Sequence, residues 1–165
     1  MDMQKVIRDP WVWGQLVLLG AALLLPPWLA ARANTAGPAL LGPDPPPARA
    51  AGLALLGIGV AIMLAGARAL GRNLTPATTP VANGRLIEHG IYSRARHPIY
   101  SGLVVAIAGA PWGGSNWLLG LVAGAAEGIY FNRKAATEER KLLARYPQYA
   151  EYAARVPRLV PRLPR

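Results

Sequence analysis

Long apolar runs alternate along the chain with polar, proline-rich or basic stretches. Residues 11–31 form the first run, which contains no charged side chain, and residues 50–67 form the second. Because about 20 apolar residues are needed to cross the hydrocarbon core of a bilayer, each run predicts a membrane-spanning helix. The second run also contains glycines, which let helices approach closely in lipid. These are Gly52, Gly57, Gly59 and Gly66.

The first run has two features that bear on its structure. Pro26 and Pro27 lie inside it and predict a kink or a helix end, since proline lacks an amide hydrogen and clashes with the preceding turn. The basic start, the apolar run and residues 31–33 also fit a secretory signal, which is the alternative to a retained span. Residues 34–48 follow as a predicted loop that is rich in proline and glycine.

Two shorter apolar runs, residues 98–110 and residues 117–131, lie on either side of a predicted turn at residues 111–116. As a helix, the first spans only about 20 Å, less than the roughly 30 Å of a hydrocarbon core. The pair therefore predicts a tight antiparallel helix hairpin whose first limb does not need to cross fully. Residues 132–146 contain good helix formers and no glycine or proline, so they predict that the second helix continues into the cytoplasm. Before the hairpin, residues 71–89 form a polar loop that is long enough to suggest a function.

Charge separates the possible classes of protein and predicts a topology. The chain has 18 Lys and Arg residues against 8 Asp and Glu, a formal charge of +10, yet 53% of its residues are hydrophobic. A nucleic-acid-binding protein would explain the charge but not the apolar runs. With four spans and a cytoplasmic N-terminus, every Lys and Arg except Arg32 and Arg49 falls on the cytoplasmic side. The positive-inside rule therefore predicts that both termini are cytoplasmic.

Few side chains in the sequence suit metal binding or nucleophilic catalysis. The sequence contains no cysteine, which excludes disulfides, thiolate metal sites and a thiol nucleophile. With only two histidines, His89 and His97, it predicts no metal site. It also contains no Walker loop, no dinucleotide-binding glycine motif and no HExxH zinc motif.

The most distinctive polar stretch is residues 90–102, which read GIYSRARHPIYSG and open directly into an apolar run. Proline is favoured at the first position of a helix, so a helix is predicted to begin at Pro98 with His97 just before it. The free amides of that first turn, together with Arg94 and Arg96, can hold an anion such as a carboxylate or a phosphate. The alternative is a plain basic anchor for the following membrane helix.

A second polar cluster follows the hairpin, in the predicted cytoplasmic helix. It consists of Arg133, Lys134, Glu138 and Glu139. Because both clusters lie at the open end of the hairpin, we expect them to meet at one membrane surface. The alternative is an ordinary solvated helix, in which Lys134 and Glu138 form an exposed pair one turn apart. Glu127 lies in the apolar run, where an ionisable group is costly, so it is either functional or paired with an arginine near the interface.

The chain resembles the isoprenylcysteine carboxyl methyltransferases and the related phospholipid N-methyltransferases, which are integral membrane enzymes that use S-adenosylmethionine. The resemblance covers roughly residues 70–161 and rests on three segments. The first contains Leu86, Gly90-Ile91-Tyr92 and Arg96-His97-Pro98-Ile99-Tyr100-Ser101-Gly102, and the second, about 40 residues later, contains Glu138-Glu139 and Leu142-Leu143. The third is a tail that contains Tyr146, Tyr149, Tyr152, Val156-Pro157 and Val160-Pro161. Upstream, Thr75-Pro76 and Pro80 also resemble the start of the family's conserved region.

The resemblance implies an all-α integral membrane fold. About four transmembrane segments include a helical hairpin, and a C-terminal cytoplasmic helix and tail cover the cofactor site. The whole chain, residues 1–165, forms one methyltransferase domain, with two spans in residues 1–69 and the cofactor-binding and catalytic half in residues 70–165. The implied reaction transfers a methyl group to a lipid-like or small apolar acceptor at the cytoplasmic membrane face. A phospholipid amine and an isoprenylcysteine-type carboxylate are both candidates, and the composition favours a bacterial inner membrane.

The resemblance also implies roles for particular residues. Those expected to line the S-adenosylmethionine site are Arg96, His97, Pro98, Tyr100, Gly102, Leu103, Tyr149 and Tyr152. Those expected to face the methyl acceptor are Glu138, Glu139, Lys134 and Arg133. In the family, an arginine about four residues before a glutamate positions a carboxylate acceptor, and this chain has Lys134 in that place. Lysine lacks the planar fork of arginine, which weakens the carboxylate interpretation.

Two other interpretations of the sequence are open. Sterol reductases have a similar C-terminal half but use NADPH, which needs more room and a longer chain. A membrane scaffold or transport component with a basic cytoplasmic face needs no cofactor at all. The sequence decides neither the methyl acceptor nor the oligomeric state.

Overall fold

The computed structural model describes residues 3–36, 45–110 and 117–160, and the regular structure of these residues is entirely helical. Its α-helices are α1 (Met3–Arg8), α2 (Pro10–Ala36), α3 (Pro46–Leu70), α4 (Pro98–Gly109), α5 (Trp117–Arg145) and α6 (Tyr149–Arg155). Single 3₁₀ turns, Gly71–Asn73 and Gly90–Ser93, lie at the two ends of the long loop between α3 and α4. The all-α prediction is therefore confirmed for this part of the chain.

One helix in the described ranges is long and apolar enough to cross a membrane. It is Pro46–Asn73, whose most apolar stretch has a mean hydropathy of 2.2. The apolar stretch Pro10–Ala22 within α2 and the apolar helix Pro98–Gly109 are shorter. By length and composition the second predicted span is confirmed, whereas the number of four spans and their orientation stay predictions.

The first long helix does not end at its two prolines, so the prediction of a helix end there is wrong. Helix α2 continues through Pro26 and Pro27 to Ala36. Each proline leaves only a few backbone carbonyl groups without a helical hydrogen bond. In an apolar environment the helix satisfies the hydrogen bonds of all the other backbone groups, so it continues.

The predicted loop between the first two long helices is shorter than residues 34–48. Ala36 ends α2 and Pro46 begins α3. Three parts of the sequence prediction fall on residues outside the described ranges. They are the centre of this loop (residues 37–44), the hairpin turn (residues 111–116) and the end of the tail (residues 161–165).

Helices α3 and α4 pack closely because glycines line their contact. A Cβ atom at Gly59 would lie 2.4 Å from the amide nitrogen of Ala106, and one at Gly102 would lie 2.5 Å from the carbonyl oxygen of Gly59. Only glycine allows backbones to approach so closely. The predicted close approach is confirmed for three of the four glycines of the second run, whereas Gly57 is exposed, with nothing within 4 Å of a Cβ atom there. The three buried glycines are Gly52, Gly59 and Gly66.

Helices α4 and α5 form the predicted antiparallel hairpin. Gly124 lies against Ala108 near its closed end, and Phe131 stacks on Tyr100 with ring centroids 4.6 Å apart near its open end. Helix α5 continues without a break to Arg145, which confirms the predicted extension. Its 29 residues correspond to about 43 Å, more than the roughly 30 Å of a hydrocarbon core, so its last turns reach beyond the apolar runs.

The C-terminal segment packs across the start of α4. The amides of Arg96 and His97 donate to the carbonyl oxygens of Pro157 (2.9 Å) and Arg158 (3.0 Å). Helix α6 and the residue after it also supply a buried cluster, which consists of Tyr149, Tyr152 and Val156. These contacts place the last helix and the tail against the hairpin end that carries both polar clusters.

Candidate functional site

A cavity of about 430 Å³ lies at the open end of the hairpin. Its walls come from most of residues 73–87 in the long loop, the first turns of α4, the polar half of α5, and α6. The lining is mainly apolar with a few polar groups, and small-molecule sites of this kind measure about 300–1,000 Å³. His97 and Tyr100 from one polar cluster and Lys134 and Glu138 from the other line it together. The predicted meeting of the two clusters is therefore confirmed.

Side chains at the end of α5 and just after it hold the long loop in place. The ammonium group of Lys141 donates to the Thr78 hydroxyl over 2.6 Å. The hydroxyl of Tyr146 donates to the carbonyl oxygen of Gly84, also over 2.6 Å. These bonds make the loop a wall of the cavity rather than a loose connection between α3 and α4.

The start of α4 agrees with the prediction in its backbone and differs from it in its partners. The helix begins at Pro98, with His97 as its cap residue. The guanidinium group of Arg96 donates to two carbonyl oxygens in and just after α6, over 2.6 and 2.5 Å. Arg94 is exposed and does not line the cavity. Two carbonyl groups and the Glu139 carboxylate of the chain itself thus occupy Arg96 donors that the sequence assigns to a bound anion.

Glu139 connects three parts of the site. Its carboxylate accepts hydrogen bonds from Arg96 (2.9 Å) and from Arg158 in the tail (2.7 Å), and it lies 3.2 Å from Nε2 of His97. Burial raises the pKa of this carboxyl group, but the bonds from His97, Arg158 and Arg96 outweigh burial and hold the pKa well below its usual range. Glu139 does not line the cavity. Glu139 therefore ties the start of α4 to α5 and the tail, and its predicted role at the methyl acceptor stays a prediction.

Glu138 lines the cavity, and it is the one carboxylate among the described lining residues. The hydroxyl of Tyr100 donates to it, and Nδ1 of His97 lies 3.6 Å from its Oε2 atom. Burial raises the pKa of Glu138, although His97, Tyr100 and Lys134 act in the opposite direction. A largely buried carboxyl group with a raised pKa that faces a cavity suits proton transfer.

Lys134 is fully buried and lines the cavity, whereas its neighbour Arg133 is exposed and lies outside the lining. The Lys134 ammonium group donates to Oε1 of Gln15 over 2.5 Å and to the carbonyl oxygen of Pro76 over 2.9 Å. It also lies 5.4 Å from the ring centroid of Tyr100. Burial lowers the pKa of Lys134, and nearby carboxylates oppose the shift. Of the two predicted cations, only Lys134 is therefore placed to act in the cavity.

Tyr149 and Tyr152 both line the cavity, and each is only 2% exposed. Their rings meet edge to face, with centroids 5.6 Å apart. The hydroxyl of Tyr152 donates to the carbonyl oxygen of Tyr92, whereas that of Tyr149 has no hydrogen-bond partner among the described residues. Burial raises the pKa of Tyr149, and the nearby negative charge of Glu139 raises it further. Glu139 itself is bound by Arg96 and Arg158. A buried hydroxyl without a partner can be satisfied by a ligand.

Three other residues predicted at the cofactor site lie on α4, and they lie on different faces of this helix. Leu103 lines the cavity, whereas Pro98 and Gly102 do not. Gly102 faces Gly59 of α3, and Pro98 lies close to Gly66. Pro98 and Gly102 therefore serve helix packing, and the backbone that approaches Gly102 is that of α3 rather than a ligand.

Several residues that line the cavity were not predicted from the sequence as site residues. Gln15 lies far from both motifs in sequence, and Ala77, Thr78, Thr79 and Val81 lie in the polar loop. Tyr92, Thr75, Pro76 and Pro80 also line the cavity and belong to the resemblance, which implied no role for them. One signal was available for Gln15, which is the one amide side chain in the otherwise apolar run of residues 11–31. For residues 75–81 the signal was the length of the polar loop. Such a length suggests that the loop is functional, but it does not identify the cavity that the loop lines.

Glu127 is fully buried in α5, and neither oxygen of its carboxylate has a hydrogen-bond partner among the described residues. It does not line the cavity. The predicted pairing with an arginine is not seen in this part of the chain, and a functional role for Glu127 stays a prediction.

Comparisons with known proteins agree with the motifs. The family with the description phospholipid methyltransferase matches residues 47–149, which include α4, α5 and most of the cavity lining. The chain is also 33% identical over 81 residues to the cobalt-zinc-cadmium resistance protein CzcN of Cupriavidus metallidurans. That alignment covers 49% of this chain and 38% of CzcN, so the chain spans well under two thirds of this relative. Because the family match covers more than half of the chain, the protein belongs to the phospholipid methyltransferase family.

Proposed function

We propose that this protein transfers a methyl group from S-adenosylmethionine to a lipid-like acceptor at the cytoplasmic face of a membrane. Membership of the family indicates methyltransferase activity and membrane association. The observation that carries the proposal further is the 430 Å³ cavity, whose walls combine apolar surface with one acidic side chain. Met63 and Leu70 of α3 also line it, so the cavity adjoins the helix that can cross a membrane.

The cavity fits the chemistry of the methyl donor. S-adenosylmethionine supplies an electrophilic methyl group on a sulfonium ion when bound. The rings of Tyr149 and Tyr152 offer faces to the adenine or to the sulfonium cation, which aromatic faces attract. The hydroxyl of Tyr149, which is close to Glu139, can bond a polar group of the same ligand. Leu103 and His97 would complete the walls around it.

The residues of the chain contribute alignment, exclusion of water and a place for a proton. Burial of the lining residues keeps the site dry, and holding two reactants in line contributes several kcal/mol to catalysis. An amine loses a proton when its nitrogen gains a methyl group, and the Glu138 carboxylate can accept that proton. The hydrogen bond from Tyr100 keeps Glu138 directed into the cavity.

The charges of the lining favour an amine acceptor over a carboxylate acceptor. Lys134 and Arg96 are already bound to protein oxygens, and Arg85 is exposed. A carboxylate acceptor would therefore meet Glu138 without a buried cation that is ready to balance its charge. An amine, such as that of a phospholipid headgroup, would find in Glu138 both a partner and a base.

A test compares the binding of S-adenosylmethionine and of NADPH to the purified full chain in detergent, by calorimetry. The informative variant is Leu103→Trp, which fills the cavity, and its matched control is Leu121→Trp, at a position that is 48% exposed. We expect S-adenosylmethionine to bind the wild type and the control, and to lose binding in Leu103→Trp while the melting temperature is retained. NADPH is expected to bind none of them.

Transfer of a labelled methyl group to lipids that contain or lack a primary amine then identifies the acceptor. Labelling of the amine lipid alone is the expected result. A folded wild type that binds neither cofactor would sink the proposal in favour of a scaffold, and NADPH binding would favour a reductase-like enzyme.

A further inference from the structure

Asp9 joins the start of α2 to the wall of the cavity. It lies between α1 and α2, is only 8% exposed and does not line the cavity itself. Its Oδ1 atom accepts a hydrogen bond from the amide of Trp11 over 3.0 Å, which caps α2. Its Oδ2 atom accepts two bonds from Thr78, from the amide over 2.6 Å and from the hydroxyl over 2.7 Å. One carboxylate thus ties together two segments that are 69 residues apart.

The bond to Thr78 is one link of a longer chain of charges. The Thr78 hydroxyl donates to Asp9 and accepts from the ammonium group of Lys141, over 2.6 Å. Lys141 also donates to the hydroxyl of Thr79 over 3.2 Å. An anion and a cation therefore hold one hydroxyl from opposite sides, and hydrogen bonds to ionised groups are stronger than neutral ones. Burial raises the pKa of Asp9, but the bonds from Thr78 outweigh it, so the pKa lies below its usual range.

Both threonines belong to the cavity wall. Thr78 is 2% exposed, and it lines the cavity together with Thr79 and Pro76. Two lysines of α5 bind this wall. Lys134 donates to the carbonyl oxygen of Pro76, and Lys141 donates to the hydroxyls of Thr78 and Thr79. Asp9 binds both the main-chain amide and the hydroxyl of Thr78, so it fixes the backbone and the side chain of the wall at one residue.

We propose that Asp9 is a positioning residue of the donor cavity, which sets the affinity for the methyl donor by fixing the wall at residues 75–79. The family match begins at residue 47, so this assigns a part of the site to a segment outside the matched region. The proposal rests on the proposed function in taking the cavity as the S-adenosylmethionine site.

The test measures S-adenosylmethionine affinity for Asp9→Ala, Thr78→Val and the double variant, by calorimetry on the full chain in detergent. Loss of two bonds to a buried charge predicts that Asp9→Ala weakens binding about tenfold or more. The double variant is expected to bind little more weakly than Asp9→Ala alone, because both changes remove the same link. Glu88→Ala is the control, since it removes an exposed ion pair with Arg155 and should leave affinity unchanged.

Hydrogen exchange over residues 75–81 gives a second readout that does not depend on the ligand. The amide of Thr78 is expected to exchange faster in Asp9→Ala and to regain protection when S-adenosylmethionine saturates the protein. Asp9→Asn keeps one acceptor oxygen, so it should give an intermediate loss of affinity, and it replaces Asp9→Ala if that variant does not fold.

The outcomes separate the two proposals. A folded Asp9→Ala protein with wild-type affinity and unchanged exchange over residues 75–81 would overturn the role of Asp9. Strictly additive effects of the Asp9 and Thr78 variants would overturn it as well. A wild type that does not bind S-adenosylmethionine would refute the proposed function, while the exchange measurement would still decide whether Asp9 holds the wall.

Discussion

The two adjacent glutamates of α5 offer a sharp test of the site, because they share one chemistry and have different surroundings. In Glu139→Gln the side chain keeps its shape and loses its charge, so Arg96 and Arg158 lose their anion. The side chain of Arg96 is 10% exposed and that of Arg158 is 33% exposed, so the bond to Arg96 contributes more. Removing one partner of a buried ion pair costs about 3–5 kcal/mol. Because glutamine still accepts one hydrogen bond, we expect a loss of about 2–3 kcal/mol.

The assay is thermal unfolding of the purified full chain in detergent. For a chain of this length, 1 kcal/mol corresponds to about 2–4 °C, so Glu139→Gln should melt about 4–12 °C below the wild type. Glu138→Gln is the matched control, since it faces the cavity and breaks no arginine pair. We expect it to melt within about 2 °C of the wild type. It should nevertheless lose at least about a hundredfold in methyl transfer, because it cannot take up a proton.

Each glutamate variant is therefore expected to fail in a different assay. A destabilised Glu138→Gln variant together with a Glu139→Gln variant that melts like the wild type would refute these roles. Methyl transfer by Glu139→Gln is measured at a temperature at which this variant is folded. A loss of methyl transfer as severe as that of Glu138→Gln would also refute the assigned roles.

Three further predictions concern packing, pH and the site. Gly59→Ala places a methyl group against the backbone of α4 and should lower the free energy of unfolding by about 1–3 kcal/mol. Gly57→Ala has open space around it and should raise the free energy of unfolding by up to about 1 kcal/mol. Thermal melting of the two variants distinguishes these effects. The folded-state pKa of Glu139 lies well below its unfolded value of about 4.3, so its stabilisation is fully present above that value and is lost as the pH falls towards the folded pKa. The free energy of unfolding, measured from about pH 5 to about pH 2, should therefore decrease with a slope that Glu139→Gln lacks. Tyr100→Phe removes the hydrogen bond to Glu138 but keeps the ring stack on Phe131. The rate of methyl transfer should therefore fall about tenfold or more, with an unchanged affinity for S-adenosylmethionine. Equal losses in the rate and in the affinity would contradict the role of Tyr100 in orienting Glu138.

Local patterns determined the helices and the general place of the site. Apolar runs and glycine spacing predicted α3, and Pro98 predicted where α4 begins, because hydropathy and backbone geometry act within a few residues. The hairpin followed from two apolar runs with a turn between them, and it brought the two polar clusters together. The same local reasoning predicted a kink or a helix end at Pro26 and Pro27, and the helix does not end there.

Only the tertiary structure decided which side chains face the cavity. Glu138 and Glu139 are neighbours in sequence but point about 100° apart on a helix, so the rotation of α5 against α4 and the tail determines which one is the tie. Asp9 and Gln15 reach the site from α2 or its cap, and Arg158 reaches it from the tail. These partners are separated by 19 to 119 residues, and no periodicity in the sequence encodes such pairings, because they depend on how whole helices pack.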